Sequence, residues 1–126
     1  MINVAENGKP CKTLLQAYAD CVNENNDRSR CLSFRMRRSV NLNQLVALFQ
    51  TATPGGYNAF EPSALIALGE VFGEKARYFG AREGSVCIYV KPANSTWIGD
   101  LKQLQNDLEI DEVTVEPNGE IRLWWD

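Results

Sequence analysis

Three separated stretches of this chain alternate apolar and polar residues with a strict two-residue period, and nothing else in the sequence constrains the fold as tightly. Leu32, Phe34 and Met36 interleave with Cys31, Ser33, Arg35 and Arg37. Val86, Ile88 and Val90 interleave with Cys87, Tyr89 and Lys91, and Ile121, Leu123 and Trp125 with Glu120, Arg122 and Trp124. Successive side chains of an extended strand point to opposite faces. The period therefore predicts half-buried strands at 30–38 and 85–91, and a C-terminal hairpin that also carries Val113 and Val115. The hairpin's turn is Pro117-Asn118-Gly119, which suits a type I turn closed by a glycine bulge. Residues 75–82 read as a further strand, turning into the next through Glu83-Gly84.

Elsewhere the period is helical. Pro10 suits a first turn, and Cys11, Leu14, Leu15, Tyr18, Cys21 and Val22 recur at helical spacing. Asn41 is placed to cap a second helix with a stripe of Leu42, Leu45, Val46 and Phe49. A third opens at Glu61-Pro62 and closes near Gly73. Its residues 64–72 are apolar almost all round, which predicts a central helix covered on most sides. A fourth, capped by Asn94, Ser95 or Thr96, carries Trp97, Leu101, Leu104 and Leu108 on one side.

The elements thus run α-β-α-α-β-β-α-β-β. That order predicts a single α+β domain over residues 1–126, with a mixed or antiparallel sheet and helices mainly on one face. At 126 residues the chain is long enough to bury a core without staples, and no repeat or linker divides it.

If the apolar sets point at the helices, the period fixes the opposite face. It would present Cys31, Ser33, Arg35, Arg37, Cys87, Tyr89, Lys91, Glu112, Thr114, Glu116, Glu120, Arg122 and Trp124. Arginine, tyrosine and tryptophan are enriched where protein interfaces concentrate their binding energy. We therefore expect Arg35, Arg37, Tyr89, Lys91, Arg122 and Trp124 to form a binding face. Four cations against Glu112, Glu116 and Glu120 leave it nearly neutral, so Arg35 and Arg37 are expected to pair with carboxylates of the C-terminal hairpin.

Charge is sorted along the chain. Arg28, Arg30, Arg35, Arg37 and Arg38 lie in one stretch, whereas acids dominate beyond Asp100, within a formal net charge of −3. There is no histidine, which removes the commonest general base and metal ligand. Ser33 and Ser63 thus have no histidine to activate them, and Gly55-Gly56 lacks the Lys-Ser/Thr of a phosphate loop. Cys11, Cys21, Cys31 and Cys87 contain no C-x-x-C pair, so metal binding is not expected; buried reduced thiols are, with a Cys31–Cys87 bridge left open. Neither an apolar run of membrane length nor a signal-like start is present.

The expectation is a cytoplasmic, non-enzymatic protein without cofactor that acts on another protein or on a second copy of itself, as an inhibitor, immunity or adaptor protein would. The alternative is an anionic ligand or single-stranded nucleic acid on the arginine-rich strand, with Tyr89 and Trp124 stacking bases.

Overall fold

The computed structural model describes residues 33–36, 38–52, 55–56 and 58–126. Strand β1 (Ser33–Arg35) leads to helix α1 (Leu42–Ala52), then to a 3-10 helix (Pro62–Ala67) that runs directly into α2 (Leu68–Phe72). Strands β2 (Arg77–Glu83) and β3 (Val86–Lys91) follow, then helix α3 (Trp97–Asp107) and strands β4 (Glu112–Val115) and β5 (Ile121–Trp124). The five strands form one sheet in the order β1-β2-β3-β5-β4, with every neighbouring pair antiparallel. The α+β class and the order of elements match the periodicities from the first predicted strand onward. The helix predicted to begin at Pro10 lies outside the described residues, as do Arg28, Arg30, Arg37 and the cysteines Cys11, Cys21 and Cys31.

Helix α1 begins as the sequence suggests, with a reciprocal cap. The Gln44 N–H donates to Asn41 Oδ1 at 2.8 Å, and the Asn41 N–H donates to Gln44 Oε1 at 2.9 Å. Two amide groups that a helix start leaves unbonded are thereby satisfied. Leu45, Leu48 and Phe49 are buried against the sheet. The close approach depends on Gly80 of β2, where an added Cβ would stand 2.7 Å from Leu48 Cδ2 and 3.3 Å from Met36 Sδ.

The third predicted helix departs from expectation in form and cover. Its first half is 3-10, in which side chains three residues apart eclipse one another. Pro62, Leu65 and Leu68 accordingly fall in one buried line, and Phe72 continues it four residues on, once the winding has become α. Ile66 is turned outward and is 57% exposed. The segment packs against α1 and α3 rather than lying covered at the centre. The eclipsed geometry concentrates its apolar cover on one side, which the composition alone did not reveal.

Other boundaries moved less. Of the strand predicted over 30–38, the regular part among the described residues is Ser33–Arg35; beyond it Met36 still donates to Gly80 O and Val40 bridges Tyr78. Residues 77–83 form a full strand inside the sheet. The C-terminal turn is as predicted. The Gly119 N–H donates to Glu116 O at 2.9 Å, the Glu116 N–H to Glu120 O at 2.8 Å, and Gly119 holds φ at +90°. Val113 packs against the core, but Val115, expected to be covered, is 54% exposed because β4 is an outer strand.

The core lies between the helices and the Ile88–Leu123 side of the sheet. Phe60 meets Phe49 and Trp125 edge-on, with ring centroids 5.1 and 4.9 Å away. The indole N–H of Trp125 donates to Leu108 O at 3.0 Å, so this ring is buried with its one donor satisfied. Among the described residues no helix is long and apolar enough to cross a membrane.

Candidate functional site on the second sheet face

Antiparallel partners share a face, so register alone assembles the side of the sheet turned away from the helices. Arg35 pairs with Ala81, Ala81 with Cys87, and Cys87 with Trp124, which in turn pairs with Glu112. Two residues along, Phe79 pairs with Tyr89, Tyr89 with Arg122, and Arg122 with Thr114. Of the predicted site residues, Arg35, Tyr89, Lys91, Arg122 and Trp124 thus share this face. Arg37 lies outside the described residues.

Arg35 keeps about a third of its side chain exposed but lies along the face instead of standing out from it. Its guanidinium carbon lies 4.3 Å from the Phe79 ring centroid and 4.4 Å from that of Tyr89. Its two terminal nitrogens donate to the two carboxylate oxygens of Glu120, at 2.9 and 2.7 Å. Aromatic faces attract a cation by their quadrupole, and a planar fork matches a carboxylate with two parallel bonds. The expected pairing with the C-terminal hairpin is therefore present for Arg35. The strand does not adjoin the hairpin, however: β2 and β3 lie between. The side chain makes the crossing by lying along the cross-strand Phe79–Tyr89 pair. Glu120 is 3% exposed, and the Arg35 hydrogen bonds, against the opposing effect of burial, hold its carboxyl below the usual range. The same contact raises the Arg35 guanidinium further.

Glu83 organises the rest of the face. Its carboxylate accepts from the Tyr89 hydroxyl and, at 2.8 Å, from Arg122 Nε. Its backbone carbonyl accepts the Trp124 indole N–H at 2.8 Å. Arg122 then donates from a terminal nitrogen to Glu112 at 3.1 Å. Burial opposes the charge on Glu83, but hydrogen bonds from Tyr89, Arg122 and the Cys87 thiol outweigh it and hold the carboxyl below its ordinary value. Burial lowers Arg122, and its bonds to Glu83 and Glu112 more than reverse that. Burial and the Glu83 acceptor both push the Tyr89 hydroxyl up.

Cys87 lies beneath this network, fully buried and free. Burial and the neighbouring Glu83 charge push its thiol up to about 12. A thiol in that state is protonated at neutral pH and is a poor nucleophile. The arrangement holds these charges in fixed positions.

Two members of the network were missed from sequence. Phe79 falls where Tyr78-Phe79-Gly80-Ala81 shows no apolar–polar contrast, because this strand is covered on both faces. Glu83 reads as a turn residue before Gly84. Carrying the two-residue period on from Phe79 and Ala81 would have placed it beside Tyr89. Glu116 was predicted on this face; it is half-buried and joins Glu120 through the backbone. Lys91 is exposed, its ammonium 5.7 Å from the Phe79 ring. Trp124 is half-buried on the face opposite Leu123 and Trp125, as the alternation predicts.

Away from the sheet face, a cleft of about 550 Å³ lies between the start of α1 and the 3-10/α2 segment. Leu42, Ile66, Gly69, Glu70 and Glu74 line it, with the capping Asn41. None belongs to the network above. Among the described residues no group of histidine, cysteine and carboxylate side chains is placed to hold a metal ion. No protein-family model matches the chain, and comparison with curated proteins and with solved structures found no match.

Proposed function

We propose that this protein acts by protein–protein contact through the second sheet face and the adjoining strand β4, as a small inhibitor, immunity or adaptor protein would. One observation supports this above the others: Arg35 and Arg122 are already engaged by the chain's own carboxylates, while Tyr89, Trp124 and Lys91 remain wholly or partly accessible. A rigid, nearly neutral surface with aromatic and arginine anchors fits a protein partner, because little ordering remains to be done on binding. The anionic-ligand alternative fares worse. The two terminal nitrogens of Arg35 are both bonded to Glu120, and Arg122 is divided between Glu83 and Glu112.

The test compares wild type with Trp124→Ala and Arg35→Ala. Affinity capture with chemical cross-linking should recover a protein partner that Trp124→Ala loses, and sedimentation would show whether that partner is a second copy. A labelled single strand should not bind at low salt. If it binds, weakens steeply as salt rises and is released by Arg35→Ala, the anionic reading replaces this one.

A further inference from the structure

Strand β4 forms one end of the sheet, and its residues specify what it would accept. β4 is the last strand in the order β1-β2-β3-β5-β4, and among the described residues nothing pairs with its outer side. The hydrogen bond from the Glu116 N–H to Glu120 O sets the phase of the hairpin ladder. Antiparallel pairs alternate between hydrogen-bonded and non-hydrogen-bonded. Thr114–Arg122 and Glu112–Trp124 are then the bonded pairs, and the N–H and C=O groups of Val113 and Val115 point outward, away from β5. Val115 leaves more than half of its surface exposed on the helix side. Glu112 and Glu116 alternate with the valines and face the other way, beside Thr114. An exposed edge is a template for strand addition unless the sequence blocks it.

Charge decides between occupants. A second copy of the chain, pairing antiparallel in the register that matches the whole of residues 112–116, would set Glu112 of one molecule against Glu116 of the other on both sides of the dyad. Like charges directly opposite one another destabilise a strand pair. Glu116, and Glu112, which stays 59% exposed while it accepts from Arg122, would attract a strand carrying cations at those positions, and the valines between them call for apolar residues.

We propose that β4 receives an extended segment of a partner protein in which basic and apolar residues alternate. The apolar residues lie beside Val113 and Val115, and the cations face Glu112 and Glu116. The inference rests on the protein-contact reading above and narrows it to one edge and one partner chemistry.

The probe is a short blocked peptide alternating lysine and valine, with a glutamate–valine peptide of equal length as its control. Both are titrated into the full chain and followed by backbone amide shifts and hydrogen exchange. The lysine peptide should bind, slow exchange at Val113 and Val115, and weaken as salt rises. The glutamate peptide should not bind. Val115→Pro removes an outward N–H that makes no bond within the sheet, so it should abolish binding with little change to the fold. Glu116→Lys, which leaves the edge backbone intact, should weaken binding by about tenfold. Equal binding of both peptides, or full binding by Val115→Pro, overturns the edge proposal. So does a captured partner that Trp124→Ala loses and Val115→Pro keeps, an outcome that leaves the broader protein-contact reading standing. Absence of any captured partner, with no peptide bound, removes both.

Discussion

Strand β3 carries two ways of burying a residue, one position apart. Val86, Ile88 and Val90 face the helices and are fully buried among Leu45, Phe49, Leu68, Phe72, Leu123 and Trp125. Cys87 and Tyr89 face the other way, and there the cover comes from polar and aromatic side chains: Glu83 bonded to both, and Arg35 lying over the Tyr89 ring. On the first face stability comes from apolar area removed from water, at about 25 cal/mol per Å², and tolerates any packing that fills the space. On the second, each buried polar group depends on a particular partner, because losing one leaves the other desolvated and unsatisfied. The first face should therefore respond to changes in volume and the second to changes in chemistry at constant volume.

The largest expected effect comes from Trp125→Ala, which removes the ring that Phe60 meets edge-on and the donor to Leu108. It should cost about 3–5 kcal/mol in denaturant unfolding, and should do so equally across the acidic range. Next is Glu83→Ala, which strands the Tyr89 hydroxyl and one nitrogen of Arg122. It should cost about 2–3 kcal/mol and should quicken modification of the native Cys87 thiol, whose sulfur is buried beside a carboxylate in the wild type. If Glu83→Ala costs no more than an exposed substitution, the second face is merely solvated and the contrast fails.

Smallest is Glu120→Gln, nearly isosteric, at about 1–2 kcal/mol at neutral pH. Its value lies in the pH profile. The Glu120 carboxyl is held below its ordinary range in the folded protein, so the unfolded chain takes up the proton first as pH falls. The Arg35–Glu120 contribution is thus complete above the unfolded carboxylate value of about 4.3 and is lost as pH drops through the lower folded value. Thermal unfolding followed from pH 7 downward should show wild type losing its advantage over Glu120→Gln in that window. Parallel curves would mean that the pair contributes nothing.

How much of this could be read in advance follows from the same contrast. Strands β3 and β5 separate apolar from polar residues, so their faces and the opposite placement of Trp124 and Trp125 were legible, as was the Asn41 cap. β2 buries both faces, and Tyr78-Phe79-Gly80-Ala81 consequently offers no contrast to read. That hid Phe79, and with it the path by which Arg35 reaches Glu120. The pairing itself was anticipated from charge balance, yet on the premise that the two strands would be close. They are not, because the length of an arginine side chain is invisible to an argument from strand adjacency. Ile66 escaped for a different reason: helical composition does not announce whether a turn will be wound in three residues or nearly four.

The Arg35–Glu120 contact also bears on the order in which the molecule assembles. Its partners are separated by 85 positions along the chain, and neither can be in place until β2 and β3 have paired and β5 has docked. A contact that needs strands distant in sequence to be paired first is expected to form after them. Stabilisation acquired after the transition state slows escape from the native state and leaves the rate of reaching it untouched. The arginine that spans the sheet would then act as a latch: Glu120→Gln should steepen the loss of native protein with time while refolding proceeds at the wild-type rate.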